Sequence, residues 1–393
     1  VRIASPIAAV VAIPVRDEEA RIHDCLAALA RQEGGPPDAV VLLLNNCTDR
    51  TREVVEGIVP DFPARLCVAT HDFAPREASA GLARAIAMDL AADLAGPGGW
   101  LLTTDADGRV APDWLAATRR AFRAGADAVA GRALIDPVEA LLIPQSLHDD
   151  DARECAYGAL LDEIASLLDP DPADPWPRHS EASGASLAVT ADWYRRIGGM
   201  PRLRAGEDRA LVAALRRHDA RVRHAPDVRV TVSGRIEGRA PGGMAETIRR
   251  RLTCPDAFLD EALEPAGDAA RRARLRWRSR ALFRAGARAS ACQAALADLL
   301  GLGAEHLAML MAGHACFGAA WDAVEAASPS LARRRVAVTD LARETRHAER
   351  ILAELRTGAG VRPAGDPVDS RANDPRVSDP RPIGRRVAIA SSR

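Results

Sequence analysis

The first 135 residues alternate between unbroken apolar runs and stretches with apolar residues on one face only. Ala8 to Val15 is a continuous apolar run that reads as a strand buried on both faces. Asp17 to Leu29 then places Ile22, Leu26 and Leu29 at helical spacing. Ala39 to Leu44 predicts a second buried strand, Arg50 to Ile58 a helix and Arg65 to Thr70 a short strand. Ala80 to Leu94 predicts a helix and Trp100 to Thr104 a strand. A β-α-β-α-β-α-β order implies an α/β fold with a mostly parallel sheet flanked by helices. Ligands of such sheets bind at the carboxyl ends of the strands. The informative segments are therefore 14–19, 45–49, 71–84 and 105–109.

The pattern changes at residue 137. A helix over Asp150 to Leu168 precedes a proline-spaced loop, Asp169 to Pro177, that cannot be regular structure. Residues 137–178 thus read as an insertion within a first domain of residues 1–245, and as a cover over the acceptor side of its site. Alternation resumes over Ser183 to Val189 and Asp192 to Ile197. A helix over Glu207 to His218 and a strand over Val228 to Val232 follow. Residues 246–360 read as a helical C-terminal region broken near Pro265, Gly301 and Pro329. Residues 361–393, rich in Pro, Arg, Asp and Ser, read as a disordered tail.

Composition narrows the classes. The chain has 393 residues, 48% hydrophobic and 27% charged, as expected of about two globular domains. A formal net charge of −1 gives no global field for nucleic acid. No apolar run reaches the ~18–20 residues of a membrane span, which leaves room only for peripheral membrane contact. All 53 basic residues are Arg, so a Schiff-base or P-loop lysine is excluded. The seven cysteines are scattered without CxxC spacing. That pattern favours a reducing, cytoplasmic setting over a disulfide framework or zinc site.

Four segments carry candidate chemistry. Asp105-Ala106-Asp107-Gly108 ends a buried strand with two carboxylates two residues apart, so both can face one hard cation, Mg²⁺ or Mn²⁺. Taken alone it is as well explained by a capped turn. Glu207-Asp208 opens an amphipathic helix, either as a dipole complement or as a general base. Asn45-Asn46-Cys47-Thr48-Asp49 and Pro14-Val15-Arg16-Asp17-Glu18 follow the second and first strands, where short polar groups pair with a base edge or cap the next helix. His148 to Asp151 reads as an acidic helix start, and the eight arginines between Arg271 and Arg288 as a solvated, salt-bridged helix.

In this order the segments resemble the family 2 glycosyltransferases, inverting enzymes of the GT-A fold, over about residues 7–240. Pro14 with Asp17-Glu18, the Asn45-Asn46 variant of the second strand end, Gly81-Leu-Ala-Arg84-Ala, Asp105-Ala-Asp107, Ser183-Gly184-Ala185-Ser186 with Gly198-Gly199, and Glu207-Asp208 carry the likeness. The resemblance implies a nucleotide-sugar pocket formed by Pro14, Asp17, Glu18, Asn45, Asn46, Arg84, Asp105 and Gly184. It implies metal ligation by Asp107 with Asp105, a general base at Asp208, and Glu207 orienting that base or the acceptor. It favours a UDP- or GDP-linked donor and leaves the acceptor open.

Processive relatives carry Gln-x-x-Arg-Trp after the catalytic helix. Here Ser233 to Arg239 lacks the Trp, which argues for single addition; Arg235 and Arg239 read as diphosphate contacts or as surface charge. A catalytically silent nucleotide-sugar-binding or scaffold protein of the same fold is the alternative. A nucleotidyltransferase would need a Gly-rich N-terminal loop and a Lys that this chain lacks.

Overall fold

The computed structural model describes residues 9–74, 76–236, 238, 243–286 and 290–358. Eight strands form one sheet: β1 Ala9–Val15, β2 Ala39–Asn45, β3 Arg65–His71, β4 Trp100–Thr103, β5 Arg109–Val110, β6 Ala128–Ile135, β7 Leu187–Thr190 and β8 Val222–Val232. Their spatial order is β3-β2-β1-β4-β7-β6-β8-β5. The neighbours from β3 to β4 are parallel, as is β6 with β8. The pairs β4–β7, β6–β7 and β5–β8 are antiparallel. The expected parallel sheet thus holds in its N-terminal half, and short antiparallel β7 joins the two halves.

The apolar runs are buried on both faces for a physical reason. Successive side chains leave a strand on opposite sides. Val11, Ile13 and Val15 join one core cluster with Leu26 of α1 (Ile22–Ala30), Val55 of α2 (Thr51–Ile58) and Trp114 of α4 (Trp114–Arg123). Val10 and Ala12 join the opposite cluster with Met88 of α3 (Ala80–Ala95), Tyr194 of α7 (Ala191–Arg196) and Leu211 of α8 (Glu207–Arg217). The strand–helix alternation expected to resume over residues 183–189 and 192–197 does so as β7 followed by helix α7. Thr190 caps it, its hydroxyl accepting from the Trp193 N–H at 3.4 Å.

Residues 137–178 fold as α5 (Pro137–Ala140), α6 (Gln145–Leu168) and the proline-spaced loop. Beyond the sheet come α9 (Met244–Thr253), α10 (Ala266–Ala285), α11 (Ser290–Leu300), α12 (Ala304–Ala312), α13 (Phe317–Ala327) and α14 (Leu341–Arg356). Tyr157, Leu161 and Ile164 of α6 pack with Ala266 and Ala270 of α10 and Leu352 of α14. The expected insertion is thus packed against the helical C-terminal region. Asp169 ties the loop to Arg276 (2.6 Å) and Arg280 (3.1 Å) of α10, so the arginine-rich helix is salt-bridged, as its composition suggested. No single helix among the described residues is long and apolar enough to cross a membrane; α11 and α12 qualify only as a pair bent by 99°. The tail expected over 361–393 lies outside the described residues.

Asp174 in that loop accepts from the His224 main-chain N–H (2.8 Å) and pairs with the His224 Nδ1 (2.8 Å). His179 stacks edge-on against His224, with centroids 5.6 Å apart. Its Nε2 is buried without a hydrogen-bond partner among the described residues. Burial and the neighbouring His224 push the His179 pKa down from 6.5 to about 4. The folded state therefore resists a proton that the unfolded chain accepts, and His179 removes stability as pH falls through 6.5 toward 4. Asp162, raised to about 6 chiefly by burial, acts in the opposite sense over the same range. The test is therefore a comparison with His179→Gln. Between about pH 7.5 and about pH 4.5 the parent should lose ~2–3 kcal/mol relative to the variant in denaturant unfolding. A pH-independent difference between the two would remove His179 as the cause.

Candidate active site

The carboxyl ends of β1, β2 and β4 open at one edge of the sheet, as the register of β1 with its neighbours requires. A cavity of roughly 310 Å³ lies there. Its walls include Pro14 and Glu18 after β1, Asn45 at the end of β2, Asp105 and Asp107 after β4, and Gly184 before β7. Arg84 comes from the first turns of α3, and Glu207 and Asp208 from the first turn of α8. Ser79 caps α3, accepting from Leu82 N–H at 3.3 Å, and Gly206, at φ +75°, turns the chain into α8.

Arg84 sits at the centre and is buried. Its guanidinium donates to Glu207 Oε1 (2.9 Å), Asp105 Oδ1 (2.6 Å), Thr103 Oγ1 (2.9 Å) and the Gly184 carbonyl (2.9 Å). Burial alone would lower its pKa, but Asp105 and Glu207 reverse that and hold it above the ordinary arginine value. Two glycines make the room. A Cβ on Gly184 would lie 2.6 Å from the guanidinium carbon, and one on Gly81 would strike the Leu203 carbonyl and approach Glu207 Oε2 at 2.7 Å.

A second arginine, Arg235, bridges the other carboxylates. It donates to Glu18 Oε1 at 2.7 Å and Oε2 at 3.1 Å, and lies 2.9 Å from Asp107 Oδ2. Burial first, then Asp105, push Asp107 up to about 6 against the lowering effect of Arg235. Asp208 differs from the other four. Its Oδ2 accepts from the Gly184 N–H at 2.9 Å and its Oδ1 from the Arg209 main-chain N–H at 2.7 Å. Among the described residues no guanidinium pairs with it.

Two residues expected in the nucleotide-sugar pocket do not line the cavity among the described residues. Asp17, at φ +52°, accepts at Oδ1 from the Thr48 N–H (2.6 Å) and the Asp49 N–H (3.3 Å). Asn46, at φ +48°, pairs both ends of its amide with the Phe73 main chain, at 2.9 and 3.2 Å. Both occupy the left-handed region that Asp and Asn tolerate best. Their side chains stitch neighbouring loops together, and so hold Glu18 and Asn45 at the cavity edge. Arg235 was left open between a diphosphate contact and surface charge; the structure places it in the cavity wall. Its position three residues past the end of β8 was the available signal. Arg16, Ser79, Arg204 and Ser233 also line the cavity and were not singled out. The expected cover, 137–178, contributes no residue to this lining among the described residues.

The pair Asp105 and Asp107 suits a hard divalent ion by donor chemistry: Asp107 is raised chiefly by burial and then by the neighbouring Asp105, whose repulsion a cation between the two would relieve. No group of three or more His, Cys, Asp or Glu residues among the described ones forms a complete protein cage. Further ligands would have to come from the donor or from water.

Residues 10–159 match the family model of Glycosyl transferase family 2. A search of curated protein sequences finds no match. Several solved structures are similar at low identity. TarS of S. aureus, residues 1–349 in complex with UDP, is 14% identical with a TM-score of 0.42, covering 90% of this chain and 93% of that one. Against a longer S. aureus TarS structure, at 15% identity and a TM-score of 0.41, the match covers 70% of this chain but only 43% of that one. The mannosyltransferase PcManGT from Pyrobaculum calidifontis, in complex with GDP-Man and Mn²⁺, is 18% identical with a TM-score of 0.40, covering 90% and 86%. Glucosyl-3-phosphoglycerate synthase from Mycobacterium tuberculosis is 16% identical with a TM-score of 0.36, covering 64% and 80%.

Arg84→Met should leave Asp105 and Glu207 facing each other without their shared cation. Breaking a buried ion pair from one side costs ~3–5 kcal/mol, so denaturant unfolding should show a loss of that order. A loss below ~1 kcal/mol would show that the network does not depend on Arg84.

Proposed function

We propose, from the match of residues 10–159 to the family model of Glycosyl transferase family 2, that the protein transfers a sugar from a nucleoside-diphosphate sugar to an acceptor hydroxyl with inversion. One observation carries the reading. Of the five carboxylates at the cavity, Asp105, Glu207, Glu18 and Asp107 share two guanidiniums, while Asp208 is held by main-chain N–H groups. A general base must be reachable by the acceptor hydroxyl without displacing a cation, and among the described residues Asp208 is the one carboxylate of the five with no guanidinium partner.

In the proposed reaction the acceptor oxygen attacks the anomeric carbon as its proton passes to Asp208. The bond from that carbon to the diphosphate oxygen breaks, and the nucleoside diphosphate leaves with the electron pair. Asn45, Pro14 and Glu18 are suited to the nucleoside end of the donor. Arg84 fixes Asp105 and Glu207 in place, and Glu207 in turn stands one residue before the base. The Gly184 N–H aims the Asp208 carboxylate into the cavity. A divalent cation held by Asp107 and Asp105 would neutralise charge on the departing diphosphate. The donor nucleotide, UDP or GDP, is the finer part of this proposal.

Two variants test it. Asp208→Asn keeps an acceptor for the Gly184 N–H and should retain donor affinity, while turnover falls by ~10²-fold or more. Near-normal turnover would return Asp208 to a purely structural role at the start of α8. Asp107→Ala should abolish the Mn²⁺-dependent part of UDP or GDP binding in calorimetry while the fold persists. Unchanged affinity with and without Mn²⁺ would sink the metal assignment. Hydrolysis of UDP- and GDP-sugars by the parent separates an enzyme from a silent binding protein.

A further inference from the structure

Arg84 and Arg235 both bridge two carboxylates, but they are built differently. Arg84 lies on a helix, its side chain 6% exposed, with four acceptors around it. Arg235 lies beyond the end of β8 with its side chain 23% exposed, and its guanidinium pairs with Glu18 and Asp107. Its partners are unequal as well. Glu18 receives two hydrogen bonds, at 2.7 and 3.1 Å, whereas Asp107 receives a single 2.9 Å contact at one oxygen.

The backbone that presents Arg235 is held from outside the cavity. Glu139 of α5 accepts at Oε2 from the Ser233 hydroxyl (2.8 Å) and the Gly234 N–H (2.7 Å). Its other oxygen pairs with Arg21 at 2.6 Å. Gly234 is closely packed there, since a Cβ would lie 2.8 Å from Ile135 Cγ2 and 3.1 Å from Glu139 Cβ. Arg235 is thus delivered to Asp107 by a dedicated anchor, and its cationic head stands against the carboxylate assigned to the metal.

We propose that Arg235 is an internal counter-cation that occupies Asp107 in the nucleotide-free protein and competes directly with the divalent ion for it. The inference rests on the metal role proposed for Asp107. A guanidinium and a divalent ion cannot share Asp107 Oδ2 without strong like-charge repulsion. Ion binding therefore requires Arg235 to leave Asp107, and the two-pronged contact with Glu18 gives it a place to stay. Arg235 sets how tightly the bare protein holds a metal, and Glu139 sets how firmly Arg235 is presented. Neither position was assigned a metal-related role by its place in the sequence.

Calorimetric titration of MnCl₂ into nucleotide-free protein tests this without any turnover. Arg235→Gln should bind Mn²⁺ roughly tenfold tighter or more than the parent, the scale of one charge-assisted contact. Asp107→Asn in that background should abolish the gain. Glu139→Ala, which leaves Arg235 in place but removes its anchor, should shift Mn²⁺ affinity in the same direction by a smaller factor. Equal or weaker Mn²⁺ binding by Arg235→Gln overturns the proposal. If Arg235→Gln fails to fold, unchanged Mn²⁺ binding in Glu139→Ala overturns it as well. Thermal stabilisation of the parent by UDP or GDP at saturating Mn²⁺, beyond that given by Mn²⁺ alone, reports separately on the donor site. Its absence would strike the glycosyltransferase reading and leave the Mn²⁺ comparison standing.

Discussion

The Arg84 guanidinium is the fixed point around which the cavity is arranged. A buried cation is tolerated only when paired and hydrogen-bonded, and Arg84 meets that condition by drawing one partner from each of four places. Thr103 ends β4, Asp105 follows it, Gly184 precedes β7 and Glu207 opens α8. Those places lie as much as 123 residues from Arg84 in sequence. A lysine would not substitute, because a point charge cannot serve four acceptors in a planar fork. The close approach of Gly81 and Gly184 follows from the same demand: the guanidinium and Glu207 fill the space that any side chain there would need.

Much of this was legible in the sequence because buried parallel strands write themselves as unbroken apolar runs. The first three strands and their helices fall within a residue or two of the expected bounds at most of their ends, although α1 begins at Ile22 rather than Asp17. The strand ends could be inspected before any coordinates were known, and Pro14, Glu18, Asn45, Arg84, Asp105, Asp107, Gly184, Glu207 and Asp208 meet at one cavity. β8 was legible only from Val228, although it begins at Val222. Its first half carries His224 and Pro226 across a register shift against β6, so no alternation survives there to read.

The parts that stayed hidden depend on contacts between distant segments. Asp17 and Asn46 carry the right residue types at the right strand ends, yet each turns back on a neighbouring loop because its backbone is left-handed. Nothing in the local pattern distinguishes a carboxylate that faces a ligand from one that caps the next turn. Arg235 shows the converse. Its partners lie 217 residues away at Glu18 and, at Asp107, two residues before β5, so its role exists only once β8 pairs with β5. Composition was equally silent on residues 137–178. A proline-spaced loop reads alike whether it covers a site or packs on a helix, and here Asp169 and Asp174 fasten it on two sides.

The same reasoning ties the helical C-terminal region to the chemistry at the cavity. α8 carries Glu207 and Asp208 on its first turn and ends near Asp219, whose backbone is left-handed. Asp219 accepts from the Phe317 and Gly318 N–H groups, both at 2.7 Å, and so caps α13. Gly318 lies directly on the Arg216 carbonyl, where any Cβ would collide. At 1.5 Å per residue, the eleven residues of α8 span about 16 Å from this clamp to the carboxylates. A helix is stiff over that distance, so its far end cannot shift without moving Asp208 relative to the Gly184 N–H, the contact that orients it. The position of the proposed base is therefore set from both ends: by Gly184 at the cavity and by α13 at the opposite end of the helix.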